Sequence, residues 1–148
     1  MKLKFRIAIT LILFGFLPAY VQAQSSAGEQ GYFEQFVLNW VDSGRNIDEA
    51  VMIRTFNTLN AVRSRYQGSD KTFFDQYLLH WIISARSIDE AALTRTFNSL
   101  NAARNRYSGD ERAFFEQFLF RWIASTKSIN EEELIRSFNA LLAARRRY

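Results

Sequence analysis

Apolar positions along this chain follow a helical rhythm, and the same rhythm returns twice. Phe33, Phe36, Val37, Trp40 and Val41 take the i, i+3, i+4, i+7, i+8 places that gather on one side of an α-helix. Tyr32 and Leu38 widen that side past half the circumference, which predicts a helix buried against its own partner and against a neighbouring unit. Phe73 to Ile83 and Phe114 to Ala124 repeat the pattern. After each of these comes a second stripe: Met52, Phe56, Leu59 and Tyr66, then Leu93, Phe97, Leu100 and Tyr107, then Leu134, Phe138, Leu141 and Tyr148. No stretch sustains the alternation that a half-buried strand needs.

The copies are in step at a period of 41 residues without insertion: Phe33, Phe74 and Phe115 correspond, as do Trp40, Trp81 and Trp122, and Tyr66, Tyr107 and Tyr148. A fixed period of this size is the signature of stacked units, each leaving an apolar face that only a neighbour covers. The expected architecture is therefore all-α, with three tandem 41-residue αα-hairpin repeats (six helices) at about 32–68, 69–109 and 110–148. They form either a short α-solenoid or a closed helical bundle, and the pattern does not choose between the two.

Local signals refine the second helix of each hairpin. Ser87 with Glu90 and Ser128 with Glu131 have the spacing of a capping box, and Asn46 with Glu49 is a weaker version. Acidic residues fill the first turn and Arg the last, which suits the helix dipole at both ends. Gly68 and Gly109 stand where a left-handed residue would stop the first two of these helices.

Met1 to Ala23 has a different character. A basic start with Lys2, Lys4 and Arg6, an apolar run from Ile7 to Leu17, and a small residue at Ala23 read as a secretory signal peptide cleaved after Ala23. The run is too short to span a bilayer, so no transmembrane span is expected once the leader is gone. Residues 24–31, small and polar, are expected to form a flexible mature N-terminus. The protein is thus expected to be exported, periplasmic or secreted.

Export changes how the charge is read. Of 19 basic residues three lie in the leader, so 16 remain against 15 acidic ones, a net of +1 instead of +4. That near balance argues against nucleic acid as a partner. With 48% hydrophobic and 16% aromatic residues the chain has ample core material, and a disordered reading fails. It has no Cys, so an exported fold must be held by apolar packing instead of disulfides. His80 is its one His, and a multi-His metal centre within one chain is excluded. No cofactor or metal is implied, and neither a phosphate loop nor a nucleophile motif appears, so no enzymatic activity is expected.

What remains is binding. Arg54, Asn57 and Ala61 lie opposite the Phe56 stripe and recur as Arg95, Asn98, Ala102 and Arg136, Asn139, Ala143. They form a ladder that holds a carboxylate-bearing or peptide partner, or else they serve stacking, which repetition in every unit equally requires. Asn39, His80 and Arg121 share one repeat position yet differ in every copy, as a solvent-facing contact site would. Arg63 and Arg104, beside the apolar stripe, are expected to pair with Asp75 and Glu116 of the following hairpin, leaving Arg145 without a downstream partner. The Trp residues sit inside the stripe and are read as core. The expected function is a non-catalytic helical-repeat module for protein–protein interaction, with end-to-end self-association as a variant. The alternative is a membrane-surface or polyanion binder using Arg145, Arg146 and Arg147.

Overall fold

The computed structural model describes residues 17–125 and 127–148, with side chains from residue 28 onward. Of the expected leader, residues 1–16 lie outside the described residues. Six helices account for nearly all the rest: α1 (Leu17–Asp42), α2 (Glu49–Arg63), α3 (Gly68–Ile83), α4 (Glu90–Arg104), α5 (Gly109–Ala124) and α6 (Glu131–Arg146). No strand occurs among the described residues, and the fold is the expected all-helical repeat. Residues 24–31, expected to be flexible, continue α1 as helix. The chain divides into two compact units, Met1–Gln35 and Phe36–Tyr148, and the hairpin stack is the second. No described helix is long and apolar enough to cross a membrane.

The second helix of each hairpin starts two residues later than the Ser–Glu spacing suggests. Its N-cap is Asp48, Asp89 or Asn130, whose side chain accepts from the backbone N–H of Val51, Ala92 or Glu133 at 3.1, 3.1 and 3.2 Å. Ser87, Ser128 and Asn46 act through their backbone instead. Their carbonyls accept the indole N–H of Trp81, Trp122 and Trp40 at 3.1, 3.2 and 3.0 Å. Each Trp is buried as expected, and its one polar atom also ties down the loop before the next helix.

The glycine signals need a similar correction. Helices α2 and α4 end at Arg63 and Arg104, with Ser64 and Asn105 as caps in right-handed conformation. Gly68 and Gly109 do carry positive φ, +57° and +54°, but at the first residues of α3 and α5. The left-handed stop belongs instead to the first helix of the hairpin, where Gly44 (φ 75°) and Ala85 (φ 60°) follow α1 and α3.

Helices meet in a regular order. Successive second helices pack together (α2 with α4, α4 with α6), α3 packs with α5, and neighbours along the chain join these two rows. Among the described residues every packed pair lies at most two elements apart, so the rows advance without returning on themselves. Within the second unit, Phe36–Tyr148, this is the packing of hairpins stacked in succession, as in the solenoid alternative.

The core repeats as faithfully as the sequence. Phe74 meets Phe97 edge-on at 4.9 Å and 90°, and Phe115 meets Phe138 at 4.9 Å and 87°. All four rings are fully buried, and each contributes about 2–3 kcal/mol by removal from water. Tyr77, also fully buried, donates its hydroxyl to the Leu93 carbonyl at 3.0 Å, and burial holds that hydroxyl well above the ordinary tyrosine range.

Candidate interaction surface

The junctions between units decide which polar side chains remain free. At each junction the last aromatic of one hairpin reaches into the next. Tyr66 stacks on Phe74 at 4.9 Å, meets Phe97 edge-on at 4.8 Å, and donates its hydroxyl to Asn98 Oδ1 at 2.8 Å. Tyr107 repeats this with Phe115 at 5.3 Å, Phe138 at 5.0 Å and Asn139 Oδ1 at 3.0 Å. Burial raises the affinity of the Tyr66 hydroxyl for its proton and keeps it a donor.

Two of the three ladder asparagines therefore have a stacking role. Only Asn57, with no preceding tyrosine in the register, is exposed without a hydrogen-bond partner among the described residues.

The expected ion pairs are present. Arg63 engages both oxygens of Asp75, with Nη2 at 3.1 Å from Oδ2, and its Nη1 donates to Asn60 Oδ1 at 3.1 Å. Arg104, 4% exposed, bonds Glu116 through Nε and reaches Asp70 at 3.4 Å, with its guanidinium 4.7 Å from the centre of the Phe73 ring. Charges this enclosed are tolerated because the carboxylates keep contact with water and further acceptors surround the guanidinium.

A second set of junction residues is not apparent from the apolar pattern. Arg45 donates to the carbonyls of Ile82, at 3.4 Å, and of Arg86. Arg86 in turn donates to those of Ile123 at 3.0 Å, Ser125 at 2.8 Å and Lys127. Each guanidinium thus caps the C-terminal end of the next unit's first helix, where unpaired carbonyls concentrate negative potential. Burial pushes both guanidinium groups below their ordinary range, with Tyr77 acting in the opposite sense on Arg86. A signal for them does exist in the chain, since Arg45, Arg86 and Lys127 recur at the repeat period.

At the variable position the first two copies make junction contacts. Asn39 donates to the Leu79 carbonyl at 3.1 Å, and His80 lies flat on Phe120 of the next unit at 4.5 Å and 8°. Arg121, in the last described unit, is exposed. At the C-terminus two of the three clustered arginines are engaged: Arg145 covers the Phe114 ring at 5.1 Å, and Arg146 bonds Glu111 Oε1 at 2.6 Å. Arg147 is exposed. No carboxylate partner of Arg145 is present among the described residues.

The ladder arginines stand apart from the junctions. Arg54, Arg95 and Arg136 are exposed, and their guanidinium groups have no partner among the described residues. Each lines a shallow hollow on its helix together with the ladder asparagine and one or two acids of the first turn: Glu49 beside Arg54, Glu90 beside Arg95, Glu131 and Glu132 beside Arg136. Ile53 and Ile135 add an apolar floor in the outer hollows, and Thr94 takes that place in the middle one. No three His, Asp or Glu among the described residues come together as a metal site requires. Compared with known protein families, with curated proteins and with solved structures, the chain shows no significant match.

Proposed function

We propose that this protein is an exported, non-catalytic repeat module that binds another protein along the outer face of α2, α4 and α6. The observation that supports the reading is the row of Arg54, Arg95 and Arg136, which is not consumed by folding. By contrast Arg63, Arg86 and Arg104 at the junctions each have a partner, and Arg145 covers a ring of its own unit. An arginine free of internal partners offers a planar fork of donors suited to a carboxylate.

Packed helices lie about 8–10 Å apart, so consecutive arginines in the row are separated by about that distance. A chain extended as polyproline II advances about 3.1 Å per residue and returns the same face every three residues. The matching partner is an extended segment with an acidic residue at about every third position, its intervening side chains resting in the hollows floored by Ile53 and Ile135. Binding through the C-terminal arginines to an anionic surface has less support, because Arg146 is paired and Arg145 is laid on Phe114.

The test uses protein recovered from the envelope or secreted fraction, where its first residue should be Gln24. Its binding to peptides with acidic residues at every second, third or fourth position is compared with that of a variant carrying Arg54→Ala, Arg95→Ala and Arg136→Ala. Preference for the third spacing, lost in a variant that melts like the parent, is the expected result. Equal binding by the variant would overturn the reading.

A further inference from the structure

Several repeat positions change their burial only where the stack stops. Leu59 and Leu100 are 1% and 0% exposed, while Leu141 at the same position in the last unit is 46% exposed. At the other end Leu79 is 5% exposed and Leu38, its counterpart in the first unit, 63%. Likewise Ile82 and Ile123 are sealed, whereas Val41 is 46% exposed. The residue types hardly differ within each set, so the missing neighbour is what exposes them.

The polar half-contacts of a junction are left over in the same way. Tyr148, the counterpart of Tyr66 and Tyr107, is fully exposed at the C-terminal end. Asn57, the counterpart of their acceptors Asn98 and Asn139, is open at the N-terminal end. Lys127 follows Arg45 and Arg86 in register, but among the described residues its ammonium reaches only the Trp122 ring, at 4.6 Å. Its complement is again at the opposite end. The Ile82 carbonyl accepts both Ala85 N–H and Arg45, while the equivalent Val41 carbonyl accepts Gly44 N–H alone among the described contacts.

We propose that a second copy of this chain supplies the missing unit, the end formed by α6 docking head to tail on the start of the next molecule's hairpin stack. Tyr148 donates to Asn57 of that copy, Lys127 caps the carbonyls at the end of its α1, and Leu141 and Leu38 leave water together. A basic group set against a helix C-terminus adds charge complementarity to the apolar fit. The occupant is a copy because the two ends hold complementary halves of one junction already formed twice inside the molecule. The interface is heterologous, so it propagates until a ring closes or the chain of molecules ends. It uses none of the three arginines of the row and meets the binding face only at Asn57, which also lines the hollow of Arg54.

Sedimentation of the wild type over a wide concentration range is compared with Leu38→Glu and Leu141→Glu. Both sites are exposed in the single chain, so each variant should keep its helical circular dichroism and melting. The wild type is expected to gain mass with concentration and each variant to stay monomeric. An equimolar mixture of the two variants, having one intact end each, should stop at a dimer. A wild type that remains monomeric overturns the proposal. So does a mixture that forms no dimer, or association blocked by Leu141→Glu but not by Leu38→Glu, since that marks a symmetric pairing of like ends.

Discussion

The middle and last hairpins share their pattern of apolar and polar positions but not their surroundings. In the middle one Leu100 is sealed and Arg104 is enclosed by Glu116, Asp70 and Phe73. In the last one Leu141 is 46% exposed and Arg145 has a ring beneath it but no carboxylate among the described residues. Burial in this fold is therefore a property of the junction and not of the residue. A helical face that is core in one unit is surface in another, and the difference is one missing neighbour.

The largest expected break in that comparison comes from truncating the leucines. Leu100→Ala empties a closed site and should cost about 3 kcal/mol in urea unfolding. Leu141→Ala, measured on the monomer at low concentration, should cost less than about 0.5 kcal/mol. Equal losses would mean that the last unit is covered after all.

The arginines come next. Arg104→Ala leaves Glu116 without its partner, and because that carboxylate is partly in water the loss should be about 2 kcal/mol, below the range for a fully buried pair. Arg145→Ala removes a single exposed cation–π contact and should cost about 0.5 kcal/mol. Urea unfolding of both variants at one pH and salt concentration checks the difference.

The smallest effect sharpens a comparison inside the loops. Ala85 holds the left-handed conformation that Gly44 holds in the first hairpin, and a Cβ makes that conformation costly. Ala85→Gly should raise the melting temperature through a gain of about 0.5 kcal/mol, the relief of strain exceeding the added freedom of the unfolded chain. Gly44→Ala should lower it by a similar or larger amount.

Helix count, repeat length and the Arg63–Asp75 and Arg104–Glu116 pairs are legible in the chain, because apolar spacing and a short loop bring those residues together whatever the finer geometry. The caps are not, for a physical reason. Ser87-Ile88-Asp89-Glu90 holds two candidate caps, and the choice of Asp89 goes with the use of the Ser87 carbonyl by the Trp81 indole, a contact that local sequence does not contain. The asparagine ladder misleads similarly. Asn98 and Asn139 sit on an outward stripe of their helices, and only the Tyr from the preceding unit turns them into structural acceptors.

By itself, then, the sequence determined what repeats: two apolar stripes per unit at a 41-residue period, and with them an all-helical stack of hairpins. That much follows from periodicity, which depends only on which residues share a helix face. The tertiary structure decided which copies of a repeated residue are spent on stacking and which stay free, for hydrogen-bond partners and burial are supplied by the neighbouring unit. Identical positions acquire different fates only where a neighbour is absent, as at Leu38, Asn57, Leu141 and Tyr148.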